Sequence, residues 1–192
     1  MARPGFRPDA TGPVTMLAFG QPLGAIVQYA YVVEDLDRAM RDFQGGLGVG
    51  PWFVRGPFQP PEGRLRGRPA TFTVSLARGF AGHVMIELIQ QHDDAPSVFH
   101  EGGGTRRYGF HHWAMITKSF EEDLDRYRAV GYQQAFSDRL PSGSRVVYLD
   151  SRRDLPGMIE LVEHTEAQER AYTQIYEAAI GWDGTDPVRH ES

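Results

Sequence analysis

Apolar and polar positions along the chain change period in a fixed order, and they do so twice. Gln28-Tyr29-Ala30-Tyr31-Val32-Val33 is a short run rich in β-formers, which predicts a strand. Apolar residues then fall at Leu36, Ala39, Met40 and Phe43, the spacing of one helix face. Asp35 is suited to cap the start of that helix, and Gly45-Gly46 to end it. Eighty-four residues later His112-Trp113-Ala114-Met115-Ile116-Thr117 matches the first run in character. A second helix follows, with Phe120, Leu124 and Tyr127 on one face and Gly131 at its end. Ser119 with Glu122 gives it a capping-box pattern.

A second pair of segments repeats letter for letter. Met85-Ile86-Glu87-Leu88 returns as Met158-Ile159-Glu160-Leu161. Further strands are expected at 52–54 and 71–76 in the first half and at 145–149 in the second. With these among the strands between each helix and its M-I-E-L strand, each half is expected to follow one plan of strand, helix, strand, strand, strand. In the second half only 145–149 is picked out between helix and last strand. A closing amphipathic helix is predicted over 167–180, with Ala171, Ile175 and Ala179 on one face. Residues 1–20 are rich in Pro, Gly and Arg without periodicity and read as a loose arm, and 183–192 as an untethered tail. The expected layout is a single α+β domain over 21–182. Module 1 covers about 24–95, a linker 96–108, and module 2 about 109–165. Halves of this length bury too little surface to stand alone, so they should share a core.

Strand alternation then picks out four polar residues. Gln28 shares a face with Ala30 and Val32, and His112 with Ala114 and Ile116. Glu87 sits with Met85 and Ile89, and Glu160 with Met158 and Val162. Each projects from an otherwise apolar or small face, where an unpaired carboxylate costs several kcal/mol. A divalent cation is the economical compensation, and Ala30 and Ala114 leave room beside it.

Composition narrows the chemistry. Twenty Lys plus Arg face 25 Asp plus Glu, a net charge of −5, without the basic stripe of a nucleic-acid binder. Lys118 is the one lysine, so Schiff-base chemistry has almost no candidate. No cysteine is present, which excludes disulfides, thiolate nucleophiles and thiolate metal sites. The first residues lack the apolar core of a secretory signal, and no run approaches the ~20 apolar residues that span a bilayer. A cytoplasmic protein that binds neither membrane nor nucleic acid is expected.

The paired modules, the Gln28 strand with the E-D-L-D-R-A-M that follows it, the H-H-W-A-M-I strand and both M-I-E-L strands resemble the vicinal oxygen chelate superfamily, the glyoxalase I and methylmalonyl-CoA epimerase branches in particular. The resemblance spans about residues 24–165. It implies two βαβββ modules forming an open cup of mixed sheet around a central site. It further implies one metal ligand on the first and one on the last strand of each module: Gln28, Glu87, His112 and Glu160. Zn, Ni, Co or Mn would suit such a donor set. The implied reaction is that of a lyase or isomerase: proton abstraction next to a carbonyl, with a metal-stabilised enediolate or enolate. Glu160 is the preferred base and Glu87 the runner-up. The implied substrate is a small α-oxygenated carbonyl compound or thioester, and the implied assembly is a homodimer.

Departures from the family pattern set the alternatives. Many epimerases carry His where Gln28 stands, and they place a second carboxylate on the strand matching 71–76, which reads T-F-T-V-S-L here. One-base chemistry therefore fits better than acyl-CoA epimerisation, the first alternative. A drug-sequestering binding protein is the second, and the retained ligand set counts against it. An extradiol dioxygenase is the third, disfavoured because its facial triad needs two His and a carboxylate. Arg106 and Arg107 could hold a substrate carboxylate or phosphate, but read better as solvated loop residues. His111 should point away from His112 by alternation and be structural. His92-Asp93-Asp94 reads as a solvated turn, and Gly102-Gly103-Gly104 as linker. Trp113 and Tyr29 should pack on the helices.

Overall fold

The computed structural model describes residues 14–100, 107–150 and 156–191. Arg106 and the three linker glycines lie outside them. The first module comprises β1 (Ile26–Val32), α1 (Leu36–Leu47), β2 (Trp52–Phe58), a hairpin of β3 (Arg64–Leu65) and β4 (Arg68–Pro69), β5 (Val74–Ala81) and β6 (Val84–Gln91). The second comprises β7 (Gly109–Thr117), α2 (Phe120–Ala129), β8 (Gln133–Arg139), β9 (Arg145–Asp150) and β10 (Met158–Glu163). Helix α3 (Glu166–Ala179) and strand β11 (Val188–His190) follow.

All strands join one open mixed sheet in the order β11-β2-β5-β6-β1-β7-β10-β9-β8-β3-β4. The modules meet where β1 runs antiparallel to β7, and each first strand pairs in parallel with the last strand of its own module. The β3–β4 hairpin reaches from the first module to pair with β8 of the second.

The helices form where the periodicity places them. The Asp35 side chain accepts from Arg38 N at 2.8 Å, and α1 runs past the two glycines to a left-handed Gly48. The capping box at Ser119 does not form; Thr117 Oγ1 accepts from Ser119 N and donates to Asp123. Thr117 already lies on β7, so it offers this cap at no cost in ordering. Helices α1 and α2 cover the convex side, each over its own apolar cluster. Leu36 and Met40 pack with Trp52, Ile86 and Leu88, and Phe120, Leu124 and Tyr127 with Leu149, Ile159 and Leu161. Tyr29 and Trp113 pack against these clusters, as alternation predicts.

Helix α3 instead closes one end of the concave side. Its buried residues are Gln168, Tyr172 and Ile175; of the expected line Ile175 is buried and Ala179 packs against the same cluster, which holds Phe80, Met85, Ile116 and Val162. Two expectations fail at the chain ends. The arm is not loose throughout: Leu17 and Phe19 are buried in this cluster, Phe19 against Phe80 and Tyr172. The tail is not untethered, since Val188–His190 pairs in parallel with β2. Both segments have little periodicity of their own. Apolar burial in one case, and an open sheet edge in the other, order them.

Candidate functional site

The β1–β7 register lays out two rows on the concave face. One holds Glu87, Ala30, His112 and Met158; the next holds Met85, Gln28, Ala114 and Glu160. A pseudo-twofold axis between β1 and β7 thus exchanges Gln28 with His112, Glu87 with Glu160 and Ala30 with Ala114. All four polar residues are at most 6% exposed, and both alanines are fully buried. Two short side chains flanking four long ones let the long ones converge.

They do converge. Gln28 Nε2 donates to Glu87 Oε2 at 3.1 Å and lies 3.4 Å from His112 Nε2. His112 Nε2 is 3.3 Å from Glu160 Oε2 and 3.8 Å from Glu87 Oε2. Gln28 Oε1 is buried without a hydrogen-bond partner. As they stand, the side chains meet one another, and among the described residues no three His, Asp or Glu groups form a finished ion cage.

The electrostatics are those of a crowded dry site. Burial, and for Glu87 the neighbouring Glu160, raise both carboxyls far above the usual carboxylate range. Burial likewise pushes His112 down to about 4, so the imidazole is neutral near pH 7. Tyr148, on β9 beside Glu160, hydrogen-bonds to that carboxylate and holds it from rising further.

Three residues beyond the quartet shape the site. Arg78 stands next to Glu87 across β5–β6, and its Nη2 donates to both oxygens of Glu191 at 2.8 and 2.7 Å. Tyr148 lies on the cavity side of Glu160. His111 does not point away: its Nδ1 is 2.9 Å from His112 Nδ1, and its Nε2 is 3.0 Å from the Val98 carbonyl. A register shift explains the failure of alternation. Ala30 pairs with His112 but Tyr31 with Phe110, so His111 is the extra residue of a β-bulge, which re-aims a side chain. Arg78 and Tyr148 had a sequence signal, each sitting in strict alternation with apolar cup residues, Leu76 and Phe80 or Val146.

A cavity of about 60 Å³ opens onto the quartet. Phe58, Phe72, Phe99, Phe136 and Tyr148 line it, Arg55 and Arg139 add charge, and Glu160 is the one member of the quartet that reaches it. His92 and Asp93 lie apart and serve the fold: His92 Nε2 meets Ser75 Oγ at 2.8 Å, and Asp93 accepts from Thr73 N at 2.7 Å. Arg107 is exposed.

Comparison with known proteins fits this layout. A methylmalonyl-CoA epimerase from Mycobacterium tuberculosis superposes with a TM-score of 0.52 at 18% identity, covering 83% of this chain and 97% of that one. A Streptomyces coelicolor methylmalonyl-CoA epimerase variant, in complex with 2-nitronate-propionyl-CoA, gives 0.51 at 17%, covering 74% and 99%. A hypothetical protein from Bacillus halodurans gives 0.50 at 18%, covering 74% and 95%. At these identities the likeness is one of fold. No curated protein matches the sequence. The sequence model of the glyoxalase/bleomycin resistance protein/dioxygenase superfamily matches residues 27–148, from the first strand of one module to the third of the other, and the chain belongs to that superfamily.

Proposed function

We propose that the protein is a divalent-metal-dependent lyase or isomerase that removes a proton next to a carbonyl, with Glu160 as the base. Gln28, Glu87, His112 and Glu160 would hold the ion, of a type such as Zn, Ni, Co or Mn. The observation that carries the reading is the buried convergence of two carboxylates, an imidazole and a carboxamide whose Oε1 has no partner. Metal–ligand bonds of roughly 2.0–2.2 Å put neighbouring donors about 3–3.5 Å apart. His112 Nε2 and Glu160 Oε2, at 3.3 Å, lie within that range, and Glu87 Oε2, at 3.8 Å from His112 Nε2, lies just beyond it. Turning the carboxamide over would bring a fourth acceptor to the same point, an arrangement that a cation stabilises and a dry cavity alone does not.

When bound, such an ion supplies a Lewis acid for the charge that develops on a carbonyl oxygen. The chain's own residues do the rest. Glu160 borders the cavity, and its raised proton affinity suits a base working near neutral pH. It takes the proton from the substrate carbon and, in an isomerase, returns it from the same carboxyl. The Tyr148 hydroxyl orients it. The aromatic lining excludes water, and the small cavity favours a compact α-oxygenated carbonyl compound or thioester end.

An acyl-CoA epimerase-like activity is the second reading, favoured by the fold shared with methylmalonyl-CoA epimerases. The cup face of β5 weighs against it: Val74, Leu76, Arg78 and Phe80 offer no second carboxylate. The deciding experiment measures metal content and metal-dependent exchange of the α-proton into D₂O, with methylglyoxal–glutathione and with methylmalonyl-CoA. Glu160→Gln should keep the metal and lose exchange. Wild-type turnover by metal-loaded Glu160→Gln would overturn the assignment. Wild-type protein that stays metal-free under replete conditions would favour the non-catalytic binding protein.

A further inference from the structure

Both candidate ligands on the first strands are preceded by a bulge. Ile26 pairs with Met115 but Gln28 with Ala114, which leaves Val27 extra in β1 as His111 is extra in β7. Val27 and His111 are repeat equivalents, each one residue ahead of a quartet member. The two modules use this position differently. Val27 is buried in the apolar cluster under α3, whereas His111 contacts the ring of its neighbour.

The hydrogen bonds of His111 have a direction. The Val98 carbonyl can only accept, so His111 Nε2, 3.0 Å away, donates to it. A neutral imidazole has one N–H, which leaves His111 Nδ1 an acceptor. His112 Nδ1, 2.9 Å from it, must then be the donor, and His112 Nε2 is bare. Both rings pack on Tyr148 and His111 also on Phe99, surroundings that favour the neutral pair. The asymmetry between modules has a chemical reason. A carboxamide has no tautomer to choose, so Val27 needs to do no more than pack behind Gln28; an imidazole must be told which nitrogen to present.

We propose that His111 is a positioning residue: it holds His112 in the Nδ1–H tautomer and turns an unprotonated Nε2 toward Gln28, Glu87 and Glu160. The metal-binding consequence rests on the function proposed above; the tautomer itself does not. Partners of this kind set ligand orientation and typically change metal affinity about 10–100-fold.

The test uses the full chain with ¹⁵N-labelled histidine, metal-free, and long-range ¹H–¹⁵N correlation, followed by calorimetric titration with Ni²⁺ and Zn²⁺. Expected is a proton on Nδ1 of His112 and on Nε2 of His111. His111→Phe should mix the His112 tautomers and weaken Ni²⁺ binding by about tenfold or more. His111→Asn, whose Oδ1 can replace the Nδ1 acceptor, should restore both, and thermal melts identify a variant that has merely unfolded. A wild-type His112 protonated on Nε2 overturns the proposal, as does a folded His111→Phe protein with the wild-type tautomer and Ni²⁺ affinity. Wild-type protein that shows the bare Nε2 yet takes up neither ion supports the relay and overturns the metal reading instead.

Discussion

Replacing Glu191 by Gln should destabilise the protein far more than an exposed position near the chain end suggests. Arg78 is largely enclosed beside Glu87, Tyr172 and Glu191, and its Nε is buried without a hydrogen-bond partner. Its one Nη2 reaches both Glu191 oxygens, at 2.8 and 2.7 Å. Removing one member of a fully buried ion pair costs roughly 3–5 kcal/mol, because the remaining charge is left uncompensated. The Arg78 and Glu191 side chains retain 14% and 24% of their exposure, so water recovers part of that. A cost of about 2 kcal/mol follows, with the amide oxygen of Gln still accepting one hydrogen bond from the guanidinium.

For a chain of this length 1 kcal/mol moves the melting temperature by about 2–4 °C, so a fall of about 4–8 °C is expected. Urea unfolding of Glu191→Gln, Arg78→Met and the double variant gives the coupling directly. The double variant should be less destabilised than the sum of the singles, since no lone charge remains in it. Additive effects, or a Glu191→Gln midpoint equal to wild type, would refute the reasoning and leave β11 a passive edge strand.

Phe19→Ala should cost about 3–5 kcal/mol in urea unfolding, since the ring is fully buried under α3; a loss below about 1 kcal/mol would mean the arm is loose after all. Gly157→Ala should destabilise by about 1–3 kcal/mol, because its Cβ would lie 2.4 Å from the Phe110 ring and 2.9 Å from the His111 carbonyl, against the bulge. The ¹⁵N spectrum should show His112 disturbed in that variant. Ala114→Leu fills the space between Gln28 and Glu160 and should lower Ni²⁺ uptake while leaving far-UV circular dichroism unchanged. Hydrogen bonds from Arg145 hold the Glu163 carboxyl below its ordinary 4.5, against slight desolvation. A depressed folded-state value contributes stability above pH 4.5 that is lost as pH falls through it, so Glu163→Gln should flatten the melting-temperature profile below about pH 4.5 and leave its slope above pH 6 alone.

The legible parts of this molecule are those in which local pattern and global fold make the same demand. Period 3.6 at Leu36, Met40 and Phe43 describes a surface that must face an apolar layer, and it does; period 2 at Gln28, Ala30 and Val32 describes one inward face of β1, and all three are buried. The four polar residues were visible because they interrupt that pattern at positions the repeat relates. Arg78 interrupts it as plainly, between Leu76 and Phe80, yet its partner lies 113 residues away on an edge strand with no period of its own. Pairing across such a distance leaves no trace in either segment alone. The same is true of Leu17 and Phe19, two apolar residues in a Pro- and Gly-rich arm that become ordered only where α3 and β5 provide a surface.

The bulges mark where alternation itself ceases to hold. Period-2 reasoning assigns His111 to the convex side and His112 to the concave side, and a single extra residue in β7 brings both rings together. Nothing in G-F-H-H-W-A announces that shift, because a bulge is a compromise between two strands. It is set by the register that β1 and β7 must keep at both ends of their pairing. Gly157 bears on it from a third strand's approach, packed so closely on Phe110 and the His111 carbonyl that no side chain fits. A duplicated module with an unbroken ladder would place its two inward residues in register, directly opposite two alanines, and no further. The slip in each first strand is what lets one copy devote the extra residue to packing and the other to wiring a histidine. The two halves diverge in chemistry at the point where the sheet departs from its regular pattern.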